Sequence, residues 1–159
     1  DVEGQEVLDL GTGTGMLGLG CGLLGAAAVL GADVDPAALA AAAANAETLG
    51  EHLDLLQCDV ASLALGRGLD TAIMNPPFGT KHNKGADWMF VRQGMAQANV
   101  VYSLHKSSTR RFLLRGAEAE GWGGEVLAEL RFPIPDMYKF HKKKSVDVEV
   151  DLVRFWHVA

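Results

Sequence analysis

Val7-Leu8-Asp9-Leu10, followed at once by Gly11-Thr12-Gly13-Thr14-Gly15, restricts the fold of this chain more than any other stretch. The first four residues form a short buried-strand pattern, and Met16, Leu17, Leu19, Leu23 and Leu24 open a helix pattern behind the glycines. A strand that turns through glycines into a helix lets backbone approach a ligand closely. Glycine tolerates the tight turn, and a helix start carries unpaired N–H groups. The spacing is Gly-x-Gly-x-Gly, not the Gly-x-Gly-x-x-Gly of dinucleotide binding, although Gly18 and Gly20 follow nearby. Such turns also occur as plain strand–helix corners.

The next segments repeat the pattern. A second strand is predicted over Ala27 to Val34. Asp35-Pro36 then starts a helix, with a carboxylate cap followed by proline at the first helical position, and the alanine-rich run Ala37–Ala46 continues it. Asp33 ends the strand with no capping duty in the pattern. It stands 18 residues after Gly15, where an α/β nucleotide site places the acid that binds ribose hydroxyls. A third strand, Leu53 to Asp59, ends in another carboxylate, suited to an adenine amino group or to capping the following turn. A fourth, Leu69 to Met74, delivers Asn75. Three successive βα units thus end their strands at the glycine turn, Asp33 and Asp59. This predicts a doubly wound α/β sheet with a nucleotide-like ligand in the crevice beyond the strand ends.

Asn75-Pro76-Pro77-Phe78 closes the fourth strand abruptly, because Pro77 fixes its own φ and restricts Pro76. An amide is left at the strand end and an aromatic ring just past the kink. The amide and a backbone carbonyl suit a planar amino group, with the ring stacked on its plane.

The second half begins with a polar loop, Gly79 to Gly85, that carries Lys81 and Lys84. A helix is predicted from Ala86 to Gln97, a fifth strand over Val100–Leu104, and a helix from Thr109 with Arg110, Arg111 and Arg115. Gly121–Gly124 reads as a turn and Val126–Phe132 as a sixth strand, closed by Pro133 and Pro135. Lys139-Phe140-His141-Lys142-Lys143-Lys144 interleaves lysines with aromatics beside Tyr138. That suits a nucleic-acid backbone as well as it suits a solvated turn. Val146 to Phe155 alternates as a half-buried strand, antiparallel because no helix precedes it.

Charge separates the halves. Net charge is −6, yet residues 1–79 hold eleven carboxylates against Arg67 alone, a net of −10. Residues 80–159 hold thirteen basic residues against nine acidic, a net of +4. Such asymmetry can localise a phosphate-facing surface on an acidic protein. Cys21 and Cys58 are too far apart in sequence for a Cys-x-x-Cys pair, which fits a reducing compartment and no zinc site. The five histidines show no ligand spacing and read as surface or loop residues. No run is long enough for a membrane span. The chain starts at Asp1 without Met, with the first strand close behind, and so reads as lacking an N-terminal piece.

Three runs carry a resemblance: Asn75 to Lys81, Tyr102 to Thr109 and Tyr138 to Asp147. With them the whole chain resembles class I S-adenosylmethionine-dependent methyltransferases of the Asn-Pro-Pro-Phe/Tyr group. More narrowly it is similar to the methyltransferase-like 5 family, which N6-methylates one adenosine of small-subunit (18S-type) ribosomal RNA in eukaryotes. The resemblance implies one Rossmann-like domain over 1–159, with a seven-stranded, mostly parallel sheet and an antiparallel last strand beside the fifth. It implies S-adenosyl-L-methionine at Gly11, Thr12, Gly13, Thr14, Gly15, Met16, Asp33, Asp59 and Asn75. Catalysis falls to Asn75, Pro76, Pro77 and Phe78. RNA contacts fall to Lys81, Lys84, Lys106, Lys139, Lys142, Lys143 and Lys144. It also implies a heterodimer with a small zinc-binding activator protein, placed here on the apolar edge strand His52 to Leu56, and a cytoplasmic or nucleolar location. The family often has cysteines where this chain has Thr12 and Thr14, and it has an N-terminal segment over the cofactor that has no counterpart here. Rival readings are a protein glutamine-N5 or DNA adenine methyltransferase, a silent rRNA-binding scaffold and, weakest, a nicotinamide oxidoreductase.

Overall fold

The computed structural model describes residues 1–77, 85–134 and 146–158. In chain order the elements are β1 (Glu6–Leu10), α1 (Met16–Leu23), β2 (Ala28–Asp33), α2 (Pro36–Leu49), β3 (Asp54–Gln57), β4 (Leu69–Met74), α3 (Ala86–Gln97), β5 (Ala98–Lys106), α4 (Arg110–Ala119), β6 (Trp122–Ile134) and β7 (Val146–His157). Single 3-10 turns lie at Val60–Ser62 and Ser107–Thr109. The strands form one sheet in the order β3-β2-β1-β4-β5-β7-β6. β1 to β5 pair in parallel, and β7 runs antiparallel between β5 and β6.

Register sets where a site can form. Leu10 lies opposite Ala32 of β2 and Met74 of β4, and Met74 lies opposite Ser103 of β5. The C-terminal ends of β1, β2, β4 and β5 therefore meet along one edge of the sheet, with the helices restarting just beyond it. α2 starts as its sequence predicts: the Asp35 carboxylate accepts from the Ala37 amide at 2.9 Å, Pro36 takes the first helical position, and Gly50 closes the helix.

The core has two sides. Leu8, Leu10, Ala72, Met74, Val101, Val153 and Phe155 pack with Val91 of α3 and with Leu113 and Ala117 of α4. On the other face Val7 and Val29 pack with Cys21 of α1. Both described cysteines are free. Among the described residues no helix is long and apolar enough to cross a membrane.

Two expectations fail. Gly123 and Gly124 are not in a turn but inside β6, which begins at Trp122. A Cβ on Gly123 would lie 2.5 Å from the Trp156 ring, and one on Gly124 2.9 Å from Leu114. These glycines make room for large neighbours rather than bend the chain. His105, read as a surface or loop residue, is buried in β5 with 2% of its surface exposed. Its Nε2 lies 2.6 Å from the Ser103 hydroxyl, and burial pushes its pKa down to about 4, against the pull of Asp87 and Asp151. It is a neutral core histidine.

Candidate active site

The glycine turn after β1 is pinned from two directions. The amides of Gly11 and Thr12 both donate to the Ala32 carbonyl of β2, at 2.8 and 3.0 Å. The Gly13 amide donates to Asp33 at 2.8 Å, and the second oxygen of that carboxylate accepts from the Asp35 amide at 3.0 Å. Asp33 therefore does have local duties, contrary to the pattern-based expectation: it ties the end of β2 to the turn. Gly11 has φ 69°, where a side chain would be strained, and a Cβ there would lie 3.0 Å from the Phe90 ring.

Beneath the turn sits a second carboxylate. Asp9 is 1% exposed, and one of its oxygens accepts from both the Thr12 hydroxyl at 2.7 Å and the Gly18 amide at 2.8 Å. Desolvation raises its pKa to about 6, although both hydrogen bonds favour the charged form. Thr12 in turn packs over Gly31, where a Cβ would lie 2.9 Å from its hydroxyl oxygen.

A pocket of about 380 Å³ opens at the strand ends, lined by Gly11, Asp33, Val34, Asp59, Val60, Asn75, Pro77 and Phe90. Five residues singled out in the sequence thus converge on one cavity. Asn75 is exposed and Pro76 is buried directly behind it. Asp59 caps the 3-10 turn, accepting from the Ala61 amide at 2.9 Å, so the capping alternative holds for one of its oxygens. Thr12, Gly13, Thr14, Gly15 and Met16 are not on the lining. Thr12 is buried against Asp9, the Thr14 carbonyl accepts from Asn45 at 2.9 Å, and Met16 stands 71% exposed at the start of α1.

Residues 1–100 match the family model described as the methyltransferase small domain. The chain is 45% identical over 159 residues to the rRNA N(6)-adenosine-methyltransferase METTL5 of Danio rerio, covering 98% of this chain and 77% of that protein. The chain belongs to the METTL5 family. The Caenorhabditis elegans member, metl-5, is 43% identical over 96% of this chain and 76% of its own. The solved structure of PH1948 from Pyrococcus horikoshii, a candidate RNA methyltransferase, aligns over all of this chain and 78% of that one, with a TM-score of 0.82 and 36% identity.

In this METTL5-family chain two groups at the site are not singled out in the sequence, one on the pocket lining and one buried beneath the turn. Phe90 comes from α3, and only packing brings it over Gly11. Asp9 did leave a signal, a carboxylate inside an otherwise apolar strand directly before the turn. Of the basic residues singled out, Lys106 is half-buried at the end of β5, on a groove shared with Arg131, Asp147 and Glu149. Lys81, Lys84, Lys139, Lys142, Lys143 and Lys144 lie outside the described residues, as does Phe78. Among the described residues no group of three or more His, Cys, Asp or Glu is placed to hold a metal.

Proposed function

We propose that this chain transfers a methyl group from S-adenosyl-L-methionine to the N6 amino group of an adenosine in small-subunit (18S-type) ribosomal RNA. The observation that carries the reading is the convergence of Gly11, Asp33, Asp59, Asn75 and Pro77 on one pocket in a METTL5-family chain. The donor set suits the cofactor. Asp33 offers a carboxylate to ribose hydroxyls, Asp59 keeps an oxygen for an adenine amino group, and Val34 and Val60 give that base apolar walls. The remaining polar end lies against the Gly11 backbone, while Thr12 acts from behind through Asp9. When bound, the cofactor supplies a methyl group already activated on a sulfonium.

The protein's task is to present the nucleophile. An adenine amino nitrogen is weakly nucleophilic because its lone pair is delocalised into the ring. The Asn75 side-chain oxygen and the Pro76 carbonyl accept its two N–H bonds, which favours a pyramidal nitrogen with its lone pair directed at the methyl group. Pro76 and Pro77 fix the backbone that aims these acceptors. Phe78 stacks on the base, which leaves its neighbours to enter the pocket. No general base is needed before transfer, since the amino proton becomes acidic only once the nitrogen is alkylated.

The test is labelled cofactor with unmodified small-subunit rRNA, followed by mapping of the methylated base. Asn75→Ala is expected to abolish methylation and leave cofactor binding intact; turnover retained in that variant would overturn the assignment. The zinc-binding activator belongs to the same proposal. β3 is an edge strand with Leu56 exposed, and an uncovered apolar edge invites a pairing strand. Adding the activator is expected to slow amide hydrogen exchange across Asp54–Gln57, and unchanged exchange there would remove the partner from this edge.

A further inference from the structure

We propose that Asn45 is a positioning residue for the cofactor: from α2 it anchors the far end of the glycine turn and so sets how tightly the pocket takes S-adenosyl-L-methionine. The proposal rests on the cofactor reading above. Asn45 is out of place by local chemistry. From Ala37 to Ala46, α2 is alanine throughout except for Leu39 and Asn45. Leu39 is buried. Asparagine is a poorer helix former than alanine, because its amide competes for nearby backbone groups. The Asn45 side chain bonds out of the helix instead: its Nδ2 donates to the Thr14 carbonyl at 2.9 Å, 31 residues away.

That carbonyl is where the turn needs an outside anchor. The start of the turn is tied to β2, by the Gly11 and Thr12 amides on the Ala32 carbonyl and by the Gly13 amide on Asp33. The Gly15 amide donates to the Thr12 carbonyl at 2.8 Å, a bond internal to the turn. Gly13 and Gly15 flank Thr14 at φ 54° and 84°. Glycine takes either sign of φ at little cost, so the Thr14–Gly15 peptide is free to rotate unless something outside holds its oxygen. Asn45 holds it, through the only hydrogen bond from α2 to the turn among the described residues. Ala42, three residues earlier on the same face, backs that contact: a Cβ on Gly15 would lie 3.2 Å from the Ala42 methyl.

With both ends of the turn fixed, Gly11 is in place on the pocket lining before a ligand arrives. Asn45 itself is half-buried and off the lining, and the buried contacts of Leu39, Ala42 and Ala46 do not depend on it. Loss of its amide therefore leaves the helix docked and the turn loose. Binding must then order the turn, which lowers cofactor affinity and leaves the presentation of the nucleophile at Asn75 unchanged.

The test measures Kd for S-adenosyl-L-methionine and S-adenosyl-L-homocysteine by calorimetry, on the parent chain, Asn45→Ala and Asn45→Asp. Melting temperature and amide hydrogen exchange are read on the unliganded chains. Asn45→Ala is expected to weaken both ligands about three- to tenfold, the worth of one hydrogen bond. Its melting temperature stays at the parent value, because the helix propensity regained offsets the bond lost. Asn45→Asp keeps the shape, turns an acceptor toward the Thr14 carbonyl and weakens binding further. The Gly15 amide exchanges faster in both variants. With unmodified small-subunit rRNA, KM for the cofactor rises by the same factor as Kd and kcat does not change. Parent affinity in both variants overturns the proposal. So does an affinity loss in Asn45→Ala that comes with a fall in melting temperature, or a fall in kcat with KM unchanged. A parent chain that binds neither ligand sinks the cofactor reading itself, and faster Gly15 exchange in the variants would then show that the tether is real and the pocket's ligand is not.

Discussion

Asp9 and Asp151 are buried to the same depth, 1% and 0% exposed, yet their carboxyls shift in opposite directions. Asp9 lies against α1 with neutral donors only, and desolvation raises it to about 6. Asp151 lies against α4, and the hydrogen bonds from Arg110, backed by one from Ser107 at 2.6 Å, hold it below the ordinary carboxylate range. Burial alone does not decide a carboxylate's charge; the available cation does. The sequence halves explain the contrast. Residues 1–79 contain one basic residue, Arg67, and it is spent on Glu6 at the surface, whereas the second half has arginine to place beside Asp151. The acidic half supplies all of the pocket lining but Phe90 and leaves a carboxylate beneath the turn poised to titrate. The basic half locks its buried carboxylate and has guanidinium groups left over.

Breaking the locked pair gives the largest expected effect on stability. Asp151→Ala strips Arg110 and Ser107 of their shared acceptor, and melting is expected to fall by about 10 °C. A loss no larger than that of an exposed ion pair would show that Glu129 and solvent replace Asp151, and would erase the contrast with Asp9.

The smaller effect is a change of slope with pH. Folded Asp9 holds its proton to about pH 6, whereas its unfolded value is about 3.8. The folded state binds more protons between those values, so this residue makes stability decline as pH rises from about 4 to about 6. The decline is on the order of 3 kcal/mol, from about 1.4 kcal/mol per pKa unit. Asp9→Asn keeps an oxygen for Thr12 and Gly18 and is expected to remove that decline, read as the parent-minus-variant difference in melting temperature across pH 4 to 7. The neutral, buried His105 contributes an opposite slope in the same window, because its folded value is lowered to about 4, and it cancels in the difference. Asp151 acts lower: its contribution is complete above about pH 4 and drains as pH falls through its depressed value. A flat difference curve for Asp9→Asn would put Asp9 in the same class as Asp151.

Much of the pocket is legible in the chain because its parts are local. A glycine turn after an apolar strand, an acid at the end of the next and Asn-Pro-Pro after the fourth are short-range patterns, and a parallel sheet with helical crossovers lines up strand ends of this kind. Asp33 was legible as a site residue but not as the group that holds Gly13. Phe90 was not legible, since a helix residue gains that role only when α3 docks on β4 and β5. Gly123 and Gly124 misled because glycine is used both for bends and for close approach, and only the position of Trp156 and Leu114 distinguishes the two. His105 misled because the signal for burial lay in its partners.

The sequence by itself determined where strands end and which chemical groups stand there, because glycine and proline act on the backbone of their own neighbourhood. It also determined the division of charge between the halves. Only the tertiary structure decided the partners of the buried charges. Arg110 and Asp151 are 41 residues apart and meet because β7 enters the sheet antiparallel between β5 and β6. The alternation of β7 shows that it pairs, and which strands it pairs with is set by burying Val153 and Phe155 under α4.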